Sequence, residues 1–214
     1  MKRILAVVTA MALLAVCFPA LGETALRDAL GAWEGDTYTN PFLGLGCTLP
    51  NGYHVSEEWI LEANQFTKEM LEDDLKTVLK STQAFVVMMA FTDLSGTPNI
   101  NIRLSYLRRN EEPIVQKTGV AAILPGQLSE IRKSYESGGA ENLDIHLSTV
   151  SIDGRDETEV IAHYSAGGTL YSTIEVVLLC DGCLAHLSAT VMGDNDAEAL
   201  EMLSSFFWVN EPSQ

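Results

Sequence analysis

The sequence predicts an α+β fold, an antiparallel β-sheet packed with helices. Two observations carry this. Asp153-Gly154, Gly167-Gly168 and Asp181-Gly182 have hairpin-turn chemistry, stand 14 residues apart, and separate runs rich in β-formers. The helical patterns fall between groups of strands and do not alternate with them one for one, so a parallel βαβ sheet is not expected.

The elements follow in order. Residues 23–36 form a short lead with weak helical character. Thr37 to Pro50 reads as a strand pair turned near Asn40-Pro41 and stopped by Pro50-Asn51-Gly52. Ser56 is a helix cap, with Glu57 and Glu58 in the first turn. Phe66, Met70, Leu71, Leu75, Val78 and Leu79 recur at helical spacing, which predicts an amphipathic helix of about 15 residues. Ala84 to Thr92 is an unbroken apolar run and reads as a buried strand, turned over residues 93–98. Asn99 to Leu107 alternates, with Ile100, Ile102, Leu104 and Tyr106 on the inner face. Pro113 to Ser137 reads as helix interrupted at Pro125-Gly126, and Gly138-Gly139 ends it. Asn142 to Val191 is a four-stranded meander. Asp196 is expected to cap a last helix carrying Leu200, Leu203, Phe206 and Phe207. There is no repeat, low-complexity tract or linker, so residues 23–214 are expected to form a single α+β domain.

Residues 1–22 stand apart. Lys2 and Arg3 precede an apolar run from Ile4 to Phe18, and Ala20-Leu21-Gly22 puts small residues before Glu23. This is the layout of a secretory signal peptide cleaved before Glu23. The run is short for a spanning helix, which needs ~20 residues. Lipidation at Cys17 is the less favoured alternative, because Val16 is branched where a small residue is required. The protein is therefore expected outside the cell or at its surface, with no membrane span in the mature chain.

The chain has 214 residues, 47% of them hydrophobic, enough to build a core without metal or disulfide. Thirteen Lys and Arg oppose 29 Asp and Glu, giving a net charge of −16, which becomes −18 once Lys2 and Arg3 leave with the signal. That charge argues against nucleic acid and against an anionic membrane surface, both of which are held by cations. It also discourages self-association, so a monomer is expected.

Cys180-Asp181-Gly182-Cys183 brackets a predicted turn between two strands. No helix N-terminus activates either thiol, so a structural disulfide is the favoured reading over free thiols, metal binding or redox chemistry. Cys47 is left over and is expected buried as a small hydrophobe.

A family pattern is carried by Tyr38-x-Asn40-x-x-x-Gly44, Pro50-x-x-Tyr53, an acidic helix, an apolar strand, Pro98-Asn99-x-Asn101, an interrupted helix and a meander ending in an aromatic-tipped helix. Over about residues 36–209 it resembles the exported proteins of anaerobic Gram-positive bacteria that share the PsbP-like α/β/α sandwich. The resemblance implies that fold. It also implies work by protein contact, because relatives of the fold include a lumenal subunit of photosystem II and a nuclear-import factor that binds a small GTPase. Fold alone transfers no function.

Candidate chemistry is sparse. His146, His163 and His186 fall on successive predicted strands. A two-residue turn at Asp153-Gly154 pairs His146 with Ile161 and makes His163 a diagonal neighbour on one face. Carried through the next two turns, the register sets Val160 against Glu175 and Val177 against His186, so His186 lands on the opposite face. A three-His site fails, and His146 with His163 and Asp144 remains as the metal candidate. The acidic run from Asp153 to Glu159 lacks calcium-loop spacing and reads as a solvated hairpin tip. Arg103, Arg108, Arg109, Lys117, Arg132 and Lys133 read as balancing surface charge. No nucleophile elbow, HExxH or phosphate-binding loop is present, and no cofactor is expected. Tyr164 and Tyr171, beside the Gly167-Gly168 turn, are candidates for an interaction surface.

Two functions follow. The favoured one is a non-catalytic exported module that binds a protein or a small ligand. The alternative is a cell-envelope hydrolase or metal-dependent enzyme with an acidic or His-centred site. A cleft lined by converging His, Asp or Glu side chains would favour the second.

Overall fold

The computed structural model describes residues 24–49, 52–91, 97–108 and 110–209. The expected signal peptide, the Cys17 alternative, the cleavage before Glu23, the Pro50-Asn51 stop and most of the turn over 93–98 lie outside these residues.

The meander forms as the turns dictate. Strands β7 (Glu141–Ile152), β8 (Arg155–Ala166), β9 (Thr169–Cys180) and β10 (Cys183–Met192) are joined by the three two-residue turns. At the first, Asp153 and Gly154 both take positive φ, 46° and 79°, which turns the chain with the twist of the flanking strands. The register is the expected one: His146 faces Ile161, Val160 faces Glu175, and Val177 faces His186.

Strands β5 (Ala84–Phe91) and β6 (Asn99–Tyr106) extend this sheet through β10, and a two-residue β4 (Tyr53–His54) closes the far edge. All pairs are antiparallel in the order β4-β5-β6-β10-β9-β8-β7. A second sheet holds β1 (Ala32–Glu34), β2 (Thr37–Asn40), β3 (Leu45–Thr48) and β11 (Phe206–Trp208), in the order β1-β2-β3-β11.

The large sheet is covered on both faces. One face carries Ile100, Ile102, Leu104, Ile174, Val176, Ala185, Leu187 and Ala189, all buried. It packs against the small sheet and the helices α1 (Leu26–Leu30), α2 (Glu57–Ala63), α3 (Leu75–Thr82) and α6 (Asp196–Leu203). The other face carries Val160, Val177 and Leu184, which form a separate cluster with Leu107, Val115 and Leu124. The helices above it are α4 (Glu112–Thr118) and α5 (Leu124–Ser137). This is an α+β design with helices on either side of an antiparallel sheet.

Three expectations are corrected. The amphipathic pattern from Phe66 to Leu79 is not one helix but a 3-10 turn over Glu69–Glu72 followed by α3. The chain is broken upstream because Asn64 turns to the sheet. Its Nδ2 donates to Val86 O at 2.7 Å and its Oδ1 accepts the Val86 N–H at 3.0 Å. Ser56 caps α2, and Asp74 starts α3 afresh by accepting the Thr77 N–H at 2.9 Å. The helical stretch from Pro113 to Ser137 breaks at Gly119, with φ +77°, and not at Pro125-Gly126. Pro125 sits in the first turn of α5, where its missing N–H costs no intrahelical bond. Phe206 and Phe207 belong to β11 and not to the last helix, since Phe206 pairs with Cys47 and Phe207 with Gly46. A side chain at Gly46 would overlap the Phe207 ring, so glycine is what lets β11 lie against β3.

Candidate functional site

The face beneath α5 is where polar side chains converge. Alternation along the strands decides which ones. Glu175 faces this side of β9; its partner across the ladder on β10 is Ser188, and Arg103 of β6 faces His186. Every second residue of adjacent strands projects to one face, so Arg103, Glu175, His186 and Ser188 meet on the sheet. Above them α5 contributes Leu124, Ile131 and Tyr135, leaving a cleft of about 440 Å³. Its walls are partly apolar and its floor polar, the usual make-up of a small-molecule site.

Glu175 is the centre of the floor. Its side chain is only 14% exposed. Oε1 accepts from His186 Nδ1 at 3.0 Å, and Oε2 accepts from Ser188 Oγ at 3.1 Å. The Arg103 guanidinium lies 3.6 Å from Oε2. Burial alone would raise the carboxyl, but His186, Arg103 and Ser188 outweigh it and hold the group at about 2. Glu175 is therefore an anion at every ordinary pH. A carboxylate only accepts, so the ring proton of neutral His186 sits on Nδ1. Nε2 is then an acceptor, and Ser105 Oγ donates to it at 2.7 Å. Beside this group, Thr173 and Thr190 pair through their hydroxyls at 3.0 Å. Burial pushes the nearby Tyr135 phenol up, and the Glu175 charge adds to the effect.

The residues singled out from the sequence are distributed differently. His146, His163 and Asp144 do share the opposite face. The two imidazole rings are 6.3 Å apart between centroids, and His146 Nδ1 is 4.0 Å from Asp144. They do not converge, because His163 turns to α6 and its Nε2 donates to Asp196 Oδ1 at 2.6 Å. Ser172 Oγ donates to the same oxygen at 2.5 Å. Asp196 is thus a tether between helix and sheet; the cap position itself belongs to Asn195. Among the described residues no group of three or more His, Cys, Asp or Glu gathers to hold a metal ion. Nearby, Glu159 is 3% exposed with Oε2 unpartnered, and burial raises its carboxyl.

The expected Cys180–Cys183 disulfide is not formed; both are free thiols. They face each other directly across the two-residue turn. Such a pair exchanges both backbone hydrogen bonds and holds its side chains ~5.5 Å apart, against the ~3.8 Å between Cβ atoms that a disulfide needs. Burial pushes both thiols up to about 12, so neither is reactive. Cys47 is fully buried, as expected, and its Sγ lies 3.1 Å from Ser205 Oγ. Tyr164 and Tyr171 are stacked cross-strand partners at 5.5 Å, and Tyr164 meets Tyr135 of α5 edge-on at 5.2 Å. Tyr164 thereby lines one end of the cleft.

Sequence reasoning missed the convergence of Ser105, Arg103, Glu175 and His186. Part of the signal was present. The hairpin register that separates His186 from His163 also places Glu175 on the face of His186. The remainder depends on β6 lying beside β10, a long-range pairing that no turn announces.

No family model matches the chain, and no curated protein does. Among solved structures the chain is similar to cyanobacterial PsbP (CyanoP) from Synechocystis sp. PCC 6803, with 13% identity and a TM-score of 0.49 over 84% of this chain and 98% of that one. It is similar to a protein from Bacteroides thetaiotaomicron at 11% identity and a TM-score of 0.41, covering 85% of this chain and 51% of that one. It is also similar to LpqN, involved in cell envelope biogenesis of Mycobacterium tuberculosis, at 12% identity and a TM-score of 0.37, covering 75% of this chain and 78% of that one. The likeness to PsbP-like structures concerns fold, and no site residue is carried over from it. No helix among the described residues is long and apolar enough to cross a membrane.

Proposed function

We propose that the chain is a single-domain exported binding module whose ligand site is the cleft between α5 and the large sheet. The observation that carries this is the buried, ionised Glu175 held by Arg103, His186 and Ser188 on the cleft floor. A core that needed only stability would be served as well by a packed apolar side chain in this place as by a buried ion pair. Arg103 keeps 42% of its side chain exposed and has donors to spare beyond its contact with Glu175. The Arg103 and Glu175 charges balance, and hydroxyls and the amides of Asn101 and Gln127 line the cleft with them. The ligand that fits is small, polar and neutral or zwitterionic, with an apolar side against Leu124 and Ile131.

The test is an amide NMR titration of residues 23–214 with a panel of free amino acids, short amides and alcohols. Saturable shifts confined to Asn101, Arg103, Glu175, His186 and Ser188, lost in Arg103→Ala, support the cleft as the site. Shifts absent across the panel, or spread over the surface and kept in Arg103→Ala, overturn it.

A further inference from the structure

From the cleft floor outward, three side chains on this face of the sheet are joined in a fixed order. Glu175 Oε1 accepts the His186 Nδ1 proton at 3.0 Å, and His186 Nε2 accepts the Ser105 hydroxyl at 2.7 Å. A hydroxyl gains nucleophilicity when a base lies within hydrogen-bond reach and a third group orients that base. Among the described cysteines, burial raises the thiols of Cys47, Cys180 and Cys183 and so deactivates them. Ser105 is half-buried and adjoins the cleft through its contact with His186, which lines it, and Ala84 and Val86 of the neighbouring β5 are half-buried too.

We propose that Ser105 is a nucleophile that takes an acyl group from a carboxylic ester, with His186 as its base and Glu175 as a positioning residue. Ser105 Oγ attacks the ester carbonyl carbon and a new C–O bond forms. The hydroxyl proton passes to His186 Nε2, and Glu175 stabilises the imidazolium. The tetrahedral centre collapses, the bond to the leaving alkoxide breaks, and His186 Nε2 returns the proton to it as an alcohol. Water then attacks the acyl-serine by the same route, gives its proton to His186, and restores Ser105 with release of the carboxylic acid.

The backbone sets the pace. Ser105 lies inside a strand paired on both sides, and the Tyr106 N–H is taken by Gln83 O at 2.8 Å. The usual pair of free backbone donors for the oxyanion is therefore not offered by this segment. The developing charge falls instead to Arg103, two positions along the same strand and on the same face. Acylation with slow release is the expected behaviour, and it is best read as a covalent adduct.

The test is intact-mass and peptide-mapping analysis of residues 23–214 treated with 4-nitrophenyl acetate near neutral pH, alongside an alkyl fluorophosphonate. One adduct on Ser105 is expected in the unaltered chain and none there in Ser105→Ala. His186→Gln should slow labelling by ~10²–10⁴-fold, the usual share of a general base. Glu175→Gln separates positioning from mere stability. An amide there can donate to Nδ1 and move the ring proton to Nε2, so ¹⁵N shifts of the His186 ring should report the exchanged tautomer while labelling falls. Adducts mapped only to lysines or tyrosines, no adduct, or equal labelling in Ser105→Ala or His186→Gln would overturn the proposal. Occupancy of the cleft is read from amide shifts and acylation from mass, so the failure of one reading is distinguishable from the failure of the other.

Discussion

Glu175→Gln is the substitution whose effect the structure fixes most closely. The native carboxyl is held at about 2, against an ordinary 4.5. That gap of roughly 2.5 units, at ~1.4 kcal/mol per unit, makes ~3 kcal/mol of folding stability. The sign follows from the direction of the shift. A group whose pKa is lowered on folding binds more protons when unfolded. Its contribution is complete above pH ~4.5 and is lost as the pH falls towards ~2. By pH 3 about 2 of the ~3 kcal/mol is already gone. Gln keeps the size of the side chain but not the charge, and leaves Arg103 and His186 without their anion. The variant should be less stable by ~2–3 kcal/mol at pH 6, and by ~1 kcal/mol or less at pH 3. Urea unfolding of both chains across that range measures the difference, in which carboxylates common to both cancel. A gap that stays constant with pH, or no gap at pH 6, would refute the electrostatic account of the cleft floor.

Three further outcomes are expected. Asn40 is fully buried, with Nδ2 donating to Ala29 O and to Tyr38 Oη at 2.9 Å each and Oδ1 accepting the Leu43 N–H at 3.1 Å; Asn40→Ala should cost ~2–4 kcal/mol in denaturant unfolding, because it strands buried polar partners. Cys180 and Cys183 should stay reduced in air and react with a disulfide reagent at pH 8 far more slowly than free cysteine, rising to the free rate only in urea; rapid reaction in the folded chain would contradict their burial. A double-mutant cycle on His163→Asn and Asp196→Asn should give a coupling of ~1–2 kcal/mol with no change on adding zinc; a zinc-dependent rise in melting temperature would restore the metal reading of His146, His163 and Asp144.

The meander was legible in the sequence because its information is local. Asp153-Gly154, Gly167-Gly168 and Asp181-Gly182 each fix a turn, a turn fixes a register, and a register fixes which side chains share a face. Hence the separation of His186 from His163 could be worked out in advance. The pattern from Phe66 to Leu79 misled because periodicity records which positions are buried and not whether the backbone between them is continuous. Asn64, by bonding both polar groups of Val86, draws the chain out of the helix and lets a new one start at Asp74. Phe206 and Phe207 misled in the same way, since two adjacent aromatics satisfy either a helix end or a strand, and only the facing Cys47 and Gly46 decide.

The candidate site was hidden for a different reason. Ser105 and His186 are 81 residues apart, and Glu175 enters from a third strand. Each alone is an ordinary polar residue on an alternating strand. Their chemistry arises only where β6 docks beside β10, and the sequence cost of that docking is paid by apolar residues on the other face, Ile100 and Ile102 against Ala189 and Leu187. The two faces therefore divide the work. The apolar face settles which strands are neighbours, and that choice leaves the opposite face to bring an acid, an imidazole, a hydroxyl and a guanidinium within reach of one another. It follows that large-to-small changes at Ile102 or Leu187 should disturb the Ser105–His186 contact without touching it. A loss of Ser105 labelling in such variants would report on strand docking, which is why the tautomer of His186 and the mapped adduct, and not activity alone, are the readouts that identify the relay.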